Sequence, residues 1–160
     1  MVDYLLNLIL FKLYIISYMM EYLEFLKLPG PCPFCNLKKD EIIFENDFGK
    51  IILSRAPYHK NHILIIPNKH VFSLNELNDK ELCDLHLLER VGIRLISKKY
   101  SNYSILYREG LKTGKSVNHL HINIIPELKM AYTKERKFKR YVYTCKEYVY
   151  FTNEFKKKFC

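Results

Sequence analysis

The sequence predicts one domain that mixes short strands with a single long helix, on three observations. Segments 42–44, 50–53, 62–66, 103–107 and 119–125 are rich in β-branched and aromatic residues or alternate apolar with polar, as strands do. Residues 79–98 instead carry leucines at helical spacing. With 160 residues, 49% of them apolar, the chain is long enough to bury one core and too apolar for a disordered segment.

Taken in order, Pro29-Gly30-Pro31 breaks any N-terminal helix and opens a segment with a close cysteine pair. Ile42, Ile43 and Phe44 read as the first strand, and Asn46-Asp47 with Gly49 as a turn. Lys50 to Leu53 then completes a hairpin. Ala56-Pro57-Tyr58 is a loop, and His62 is expected to orient it by hydrogen bonding. The strand from His62 to Ile66 ends at Pro67, which has no N–H for a ladder. Ser73 or Asn78 caps the next helix, with Glu76 or Glu81 completing a capping box. Leu82, Leu85, Leu88, Val91 (or Gly92) and Leu95 form its apolar stripe. Tyr103 to Tyr107 is a fourth strand, a polar loop covers 109–116, and Pro126 ends the fifth strand. The basic, aromatic stretch that follows shows no clear period.

The net charge is +9, and residues 127–160 hold ten Lys/Arg against four Glu. Such a balance favours phosphate-rich partners, although no motif supports nucleic acid over a solvated basic tail. Five cysteines, an odd number, argue against a secreted disulfide scaffold and for a reducing compartment, so a cytoplasmic location is expected. Asn7, Lys12 and Ser17 interrupt the apolar run 4–20, so a membrane anchor is not expected. Met19 and Met20 offer an alternative start, which would make 1–18 an artefact of gene prediction. The expected organisation is an apolar helical extension at 1–28, a catalytic domain at 29–128, and a basic aromatic extension at 129–160 packing on that domain.

The segment His119-Leu120-His121-Ile122-Asn123 carries the chemistry. Alternate side chains of a strand point the same way, so two imidazoles and a carboxamide share one face while Leu120, Ile122 and Ile124 take the other. An imidazole is nucleophilic near neutral pH and can attack phosphorus to form a covalent intermediate. The His121 ring is therefore expected to lie exposed and unligated beside Ser116, in a pocket that accepts a phosphate. Around it, the Cys32-x-x-Cys35 knuckle with His70 and His119 satisfies tetrahedral Zn²⁺. The alternatives for the cysteine pair are buried thiols or a redox motif, which wants a thioredoxin-like context that is absent. Gly114-Lys115-Ser116 is not a Walker loop: the preceding Gly110 is one position off, and no helix follows.

These pieces resemble the histidine triad (HIT) family. The similarity covers roughly residues 31–127 and rests on parts in the family's order: Cys32-Pro33-Phe34-Cys35, then Ala56-Pro57-Tyr58, then Asn61-His62 through Pro67-Asn68-Lys69-His70, a long helix, and Gly114-Lys115-Ser116 through His119-Leu120-His121-Ile122-Asn123 to Pro126. The resemblance implies an α+β fold, an antiparallel sheet of about five strands with a helix against it and a zinc knuckle, commonly in a homodimer. It implies hydrolysis or transfer of nucleoside monophosphate groups, with His121 as nucleophile and structural Zn²⁺ on Cys32, Cys35, His70 and His119. Ser116 matches a residue that bonds phosphate oxygens. Gly114 and Lys115 join the nucleotide-binding set, Lys115 as a cation beside the phosphates.

Three positions depart from the family's pattern. Asn123 stands where the third motif His is usual; a carboxamide can hold a phosphoryl oxygen but cannot deliver a proton. That disfavours phosphoramidates and favours leaving groups that depart as anions, as from a dinucleoside polyphosphate. Ser54 replaces an Asp that holds ribose in many members, and Arg108 replaces an Asn near phosphate, where a guanidinium can clamp a polyphosphate. The rival functions are processing of adenylated nucleic-acid ends and a catalytically weak, zinc-ordered nucleotide-binding module.

Overall fold

A computed structural model of the chain describes residues 32–113, 115–128 and 142–160. The expected extension at 1–28, Gly114 and residues 129–141 lie outside the described residues. Five antiparallel strands form one sheet: β1 (Ile42–Glu45), β2 (Gly49–Leu53), β3 (Ile63–Pro67), β4 (Tyr103–Tyr107) and β5 (Ile122–Pro126), in the order β1-β2-β3-β5-β4. The α+β architecture and the antiparallel sheet expected from the sequence are present.

Helix α1 (Asp79–Ser97) connects the β1–β3 meander to β4. The sequence left two caps open, and both are used. Ser73 and Glu76 close a box on a turn of 3₁₀ helix (Leu74–Glu76), and Asn78 and Glu81 close a second on α1. Leu85, Leu88 and Ile96 of α1 are fully buried against Ile51, Leu53, Ile63, Ile65, Ile122 and Ile124. Gly92 permits this close approach, because a Cβ there would stand 2.7 Å from the Ile65 Cδ1 methyl.

A second helix was not foreseen. α2 (Cys145–Phe159) starts at a Thr144–Glu147 capping box and buries Tyr148, Thr152, Phe155 and Phe159 in the same core. Its approach is pinned to the end of β2: the Tyr148 hydroxyl donates to the Leu53 carbonyl at 2.9 Å, and the Tyr143 N–H to the Arg55 carbonyl at 2.9 Å. At the far end, the Lys98 ammonium bonds the Phe159 carbonyl and Tyr100 stacks on the Phe159 ring. Both helices thus lie on one face of the sheet. The other face carries a small separate cluster, Ile42, Ile52, Leu64 and Ile66, with Phe34 and Leu37 packed on it. Among the described residues no helix is long and apolar enough to cross a membrane.

Candidate active site and metal centre

The second face receives the polar residues that the alternation of β5 turns away from the core. β5 begins at Ile122 rather than at 119. β3 ends at Pro67, and its carbonyl takes a side-chain bond from His119 instead of a ladder bond. Leu120 is tied by its N–H to the Val71 carbonyl at 2.6 Å. Residues 119–121 are therefore an ordered lead-in, each held at a separate point.

His119 is fully buried, and its Nε2–H donates to the Pro67 carbonyl at 3.0 Å. That bond leaves Nδ1 bare toward Cys32 Sγ at 3.4 Å and Cys35 Sγ at 3.6 Å. His70 Nδ1 stands 3.2 Å from Cys35 Sγ, and all four donor atoms lie within 4.8 Å of one another. Donors on a tetrahedral Zn²⁺ are separated by about 3.3–3.8 Å, so the side chains stand close to the required spacing. Burial first holds the His119 imidazole neutral, with its pKa pushed down to about 4. Burial and then the neighbouring Cys32 push the Cys35 thiol up, a cost that a divalent cation between the two sulfurs would reverse. The donor set and the orienting carbonyl fit a metal centre.

His121 follows a different pattern. Its Nδ1–H donates to the His119 carbonyl at 2.8 Å, which fixes the tautomer with a bare Nε2. Contrary to expectation the ring is not exposed: the residue keeps 7% of its surface, and Phe34 of the cysteine turn stands edge-on against it at 5.3 Å between centroids. His121 is nonetheless neither a metal ligand nor a member of either apolar cluster. Among the described residues no hydrogen bond reaches Nε2. Burial, followed by the charges of Lys115 and Arg108, lowers its pKa, so the imidazole is neutral at pH 7.

Asn123 is 3% exposed; its Oδ1 accepts from His62 Nε2–H at 3.1 Å and its amide donates to the Leu106 carbonyl at 3.2 Å, leaving one N–H. His62 is itself fixed, since Nδ1 accepts from the Tyr58 N–H at 3.3 Å. Ser54 lies at the end of β2 with its N–H on the His62 carbonyl. Arg108 donates to the Tyr58 hydroxyl at 3.0 Å with its guanidinium over that ring. Ser116 stands with Cys32 and His70 around a cavity of about 360 Å³, and the Lys115 ammonium is tethered to the Phe72 carbonyl at 2.6 Å. Sequence reasoning missed Phe34 and Tyr58 and gave His62 only its role in the loop. The signal for His62 was available, because it continues the alternation of Leu64 and Ile66 onto the second face.

The chain matches the HIT domain family over residues 36–130. It belongs to that family. Among curated relatives, an uncharacterized HIT-like protein of Methanocaldococcus jannaschii is 31% identical over 100 residues, covering 59% of this chain and 78% of that protein. The adenosine 5'-monophosphoramidase of Schizosaccharomyces pombe is also 31% identical over 100 residues, covering 60% and 74%. A solved structure, a hypothetical histidine triad nucleotide-binding protein from Sulfolobus tokodaii, superposes with a TM-score of 0.64 at 25% identity, covering 80% of this chain and 91% of that one.

Proposed function

We propose that this HIT-family chain is a nucleotide hydrolase or nucleotidyltransferase that cleaves at the α-phosphate through a nucleotidyl-His121 intermediate. One observation carries the reading: His121 is a neutral imidazole whose Nδ1–H is bound to the His119 carbonyl, which leaves Nε2 bare to act as the nucleophile. Attack by Nε2 forms an N–P bond as the P–O bond to the leaving group breaks. Water, or phosphate, then attacks the phosphorus and frees His121. Lys115 and Arg108 are the cations whose charge reaches His121, and they offset the charge that builds on the phosphoryl oxygens. Ser116 and the remaining amide N–H of Asn123 are the neutral donors in this reading. The apolar cluster on which Phe34 and Leu37 pack, with Ser54 two residues on from its member Ile52, takes the nucleoside of the reacting phosphate.

The identity of position 123 sets the leaving group. The carboxamide is held between His62 and Leu106 and carries no transferable proton, so an amine leaving group would depart unprotonated. A nucleotide phosphate departs as a stable anion, and we therefore assign a dinucleoside polyphosphate as the substrate class. This differs from the activity in the name of the S. pombe relative. Zn²⁺ bound by Cys32, Cys35, His70 and His119 would serve a structural role, tying the turn that carries Phe34 to the lead-in of β5 that carries His121. A homodimer and a cytoplasmic location complete the reading. β4 lies at an edge of the described sheet with Leu87 and Tyr107 exposed, and all five cysteines are free.

The test is incubation with α-³²P-labelled dinucleoside tetraphosphate, followed by denaturation. The expected result is protein-bound label that survives alkali, is lost in mild acid, and is absent from the His121→Ala variant. Tight nucleotide binding without trapped label or turnover would instead identify a binding module.

A further inference from the structure

We propose that the cavity between the cysteine turn and residues 116–118 is the subsite for the leaving half of the substrate, with the base of the second nucleoside resting on the Phe72 ring. The inference rests on the dinucleoside polyphosphate reading and says where the second half goes. The cavity, about 360 Å³, is at the lower end of the range for small-molecule sites and is of nucleoside size. It does not include His121, and two of its lining residues, Cys32 and His70, also belong to the metal quartet. Pro33 in the cavity wall adjoins Phe34, whose ring stands 5.3 Å from the His121 ring, so one short turn joins the cavity to the nucleophile, as a substrate that continues past the reacting phosphate requires.

The lining has the chemistry that such a half needs. Phe72 is the one large exposed apolar side chain on this wall: 48% of its surface is open, although it is held edge-on against His70. A ring presented in this way is a stacking platform for a base of any identity. Pro33 and Val117 supply further apolar surface, and Ser116 and Asn118 supply polar groups for a sugar or phosphate. The Lys115 ammonium reaches the Phe72 carbonyl, so a cation stands at the back of the same segment.

The experiment compares kcat/KM for a dinucleoside tetraphosphate with that for a nucleoside 5'-phosphorofluoridate, whose fluoride leaving group has no base to stack. In Phe72→Ala the ratio of the two constants should fall about 5- to 100-fold, the worth of one base–aromatic contact. Phe72→Trp should restore or raise the ratio. A ratio unchanged in Phe72→Ala while both substrates are turned over overturns the subsite and leaves the function standing. A wild-type protein inert to both substrates overturns the function and the subsite with it. An equal fall for both substrates also counts against the subsite, since it would mean that Phe72 supports the site as a whole.

Discussion

Along β5 and the residue that leads into it successive side chains look in opposite directions, and the two faces of the sheet that they join are built by different rules. Ile122 and Ile124 enter a face closed by α1 and α2, where aliphatic and aromatic side chains fill the core and fit decides most. His121 and Asn123 enter a face only part apolar, where each buried polar group must find a partner. The partners are mostly main-chain carbonyls: Pro67 for His119, His119 for His121, Leu106 for Asn123. A carbonyl accepts and never donates, so it dictates which ring nitrogen bears the proton. The first face gives the domain its stability, and the second uses that rigidity to hold tautomers.

The sharpest way to break this contrast is to truncate one residue on each face. His121→Ala should lower turnover at least about a thousand-fold, because the nucleophile is lost, while the missing Nδ1 bond costs only about 1–2 kcal/mol of stability. Steady-state kinetics and thermal unfolding on the same sample check both numbers. Comparable activity in that variant would end the covalent mechanism. Zinc tests the same boundary from the side of the cysteine turn. At free Zn²⁺ a thousand-fold above Kd the folded state gains about 4 kcal/mol, so chelation should lower the unfolding midpoint, and metal analysis should find one Zn²⁺ per chain. An unfolding curve indifferent to chelator would remove the metal centre. Ile124→Ala, on the closed face, should cost about 2–5 kcal/mol in denaturant unfolding and leave kcat near wild type where the protein remains folded.

The legibility of these two faces in the sequence was unequal. The alternation at 119–125 and the leucine stripe of α1 are local patterns, and they were enough to divide β5 between its faces. The metal quartet was legible too, because Cys-x-x-Cys and two histidines are chemically distinctive wherever the chain brings them. Helix α2 was missed although Tyr148, Thr152, Phe155 and Phe159 recur at helical spacing, since aromatic residues and lysine runs obscure a stripe normally read from leucines. The burial of His121 was not legible, because Phe34, which stands edge-on against the ring, is far upstream. Nor was the engagement of Asn123, whose partners sit on β4 and ahead of β3.

The smallest expected effect probes that last arrangement and is the most specific. In Asn123→His the new imidazole can accept from His62 Nε2–H with one nitrogen, as the carboxamide oxygen does now, and present N–H from the other. The face then gains a group able to protonate a departing amine. Turnover of a nucleoside phosphoramidate should rise about ten-fold, below the usual range for general acid catalysis because the ring is not positioned by evolution for the task. Dinucleoside polyphosphate turnover should change by less, since its leaving group departs as an anion without help. The ring must also fit a site only 3% exposed between β3 and β4, so a stability loss of about 1–3 kcal/mol is expected and both rates are to be read well below the unfolding midpoint. If the two substrates respond in step, position 123 sets only the shape of the site, and leaving-group selection must be sought among Arg108, Lys115 and Ser116 instead.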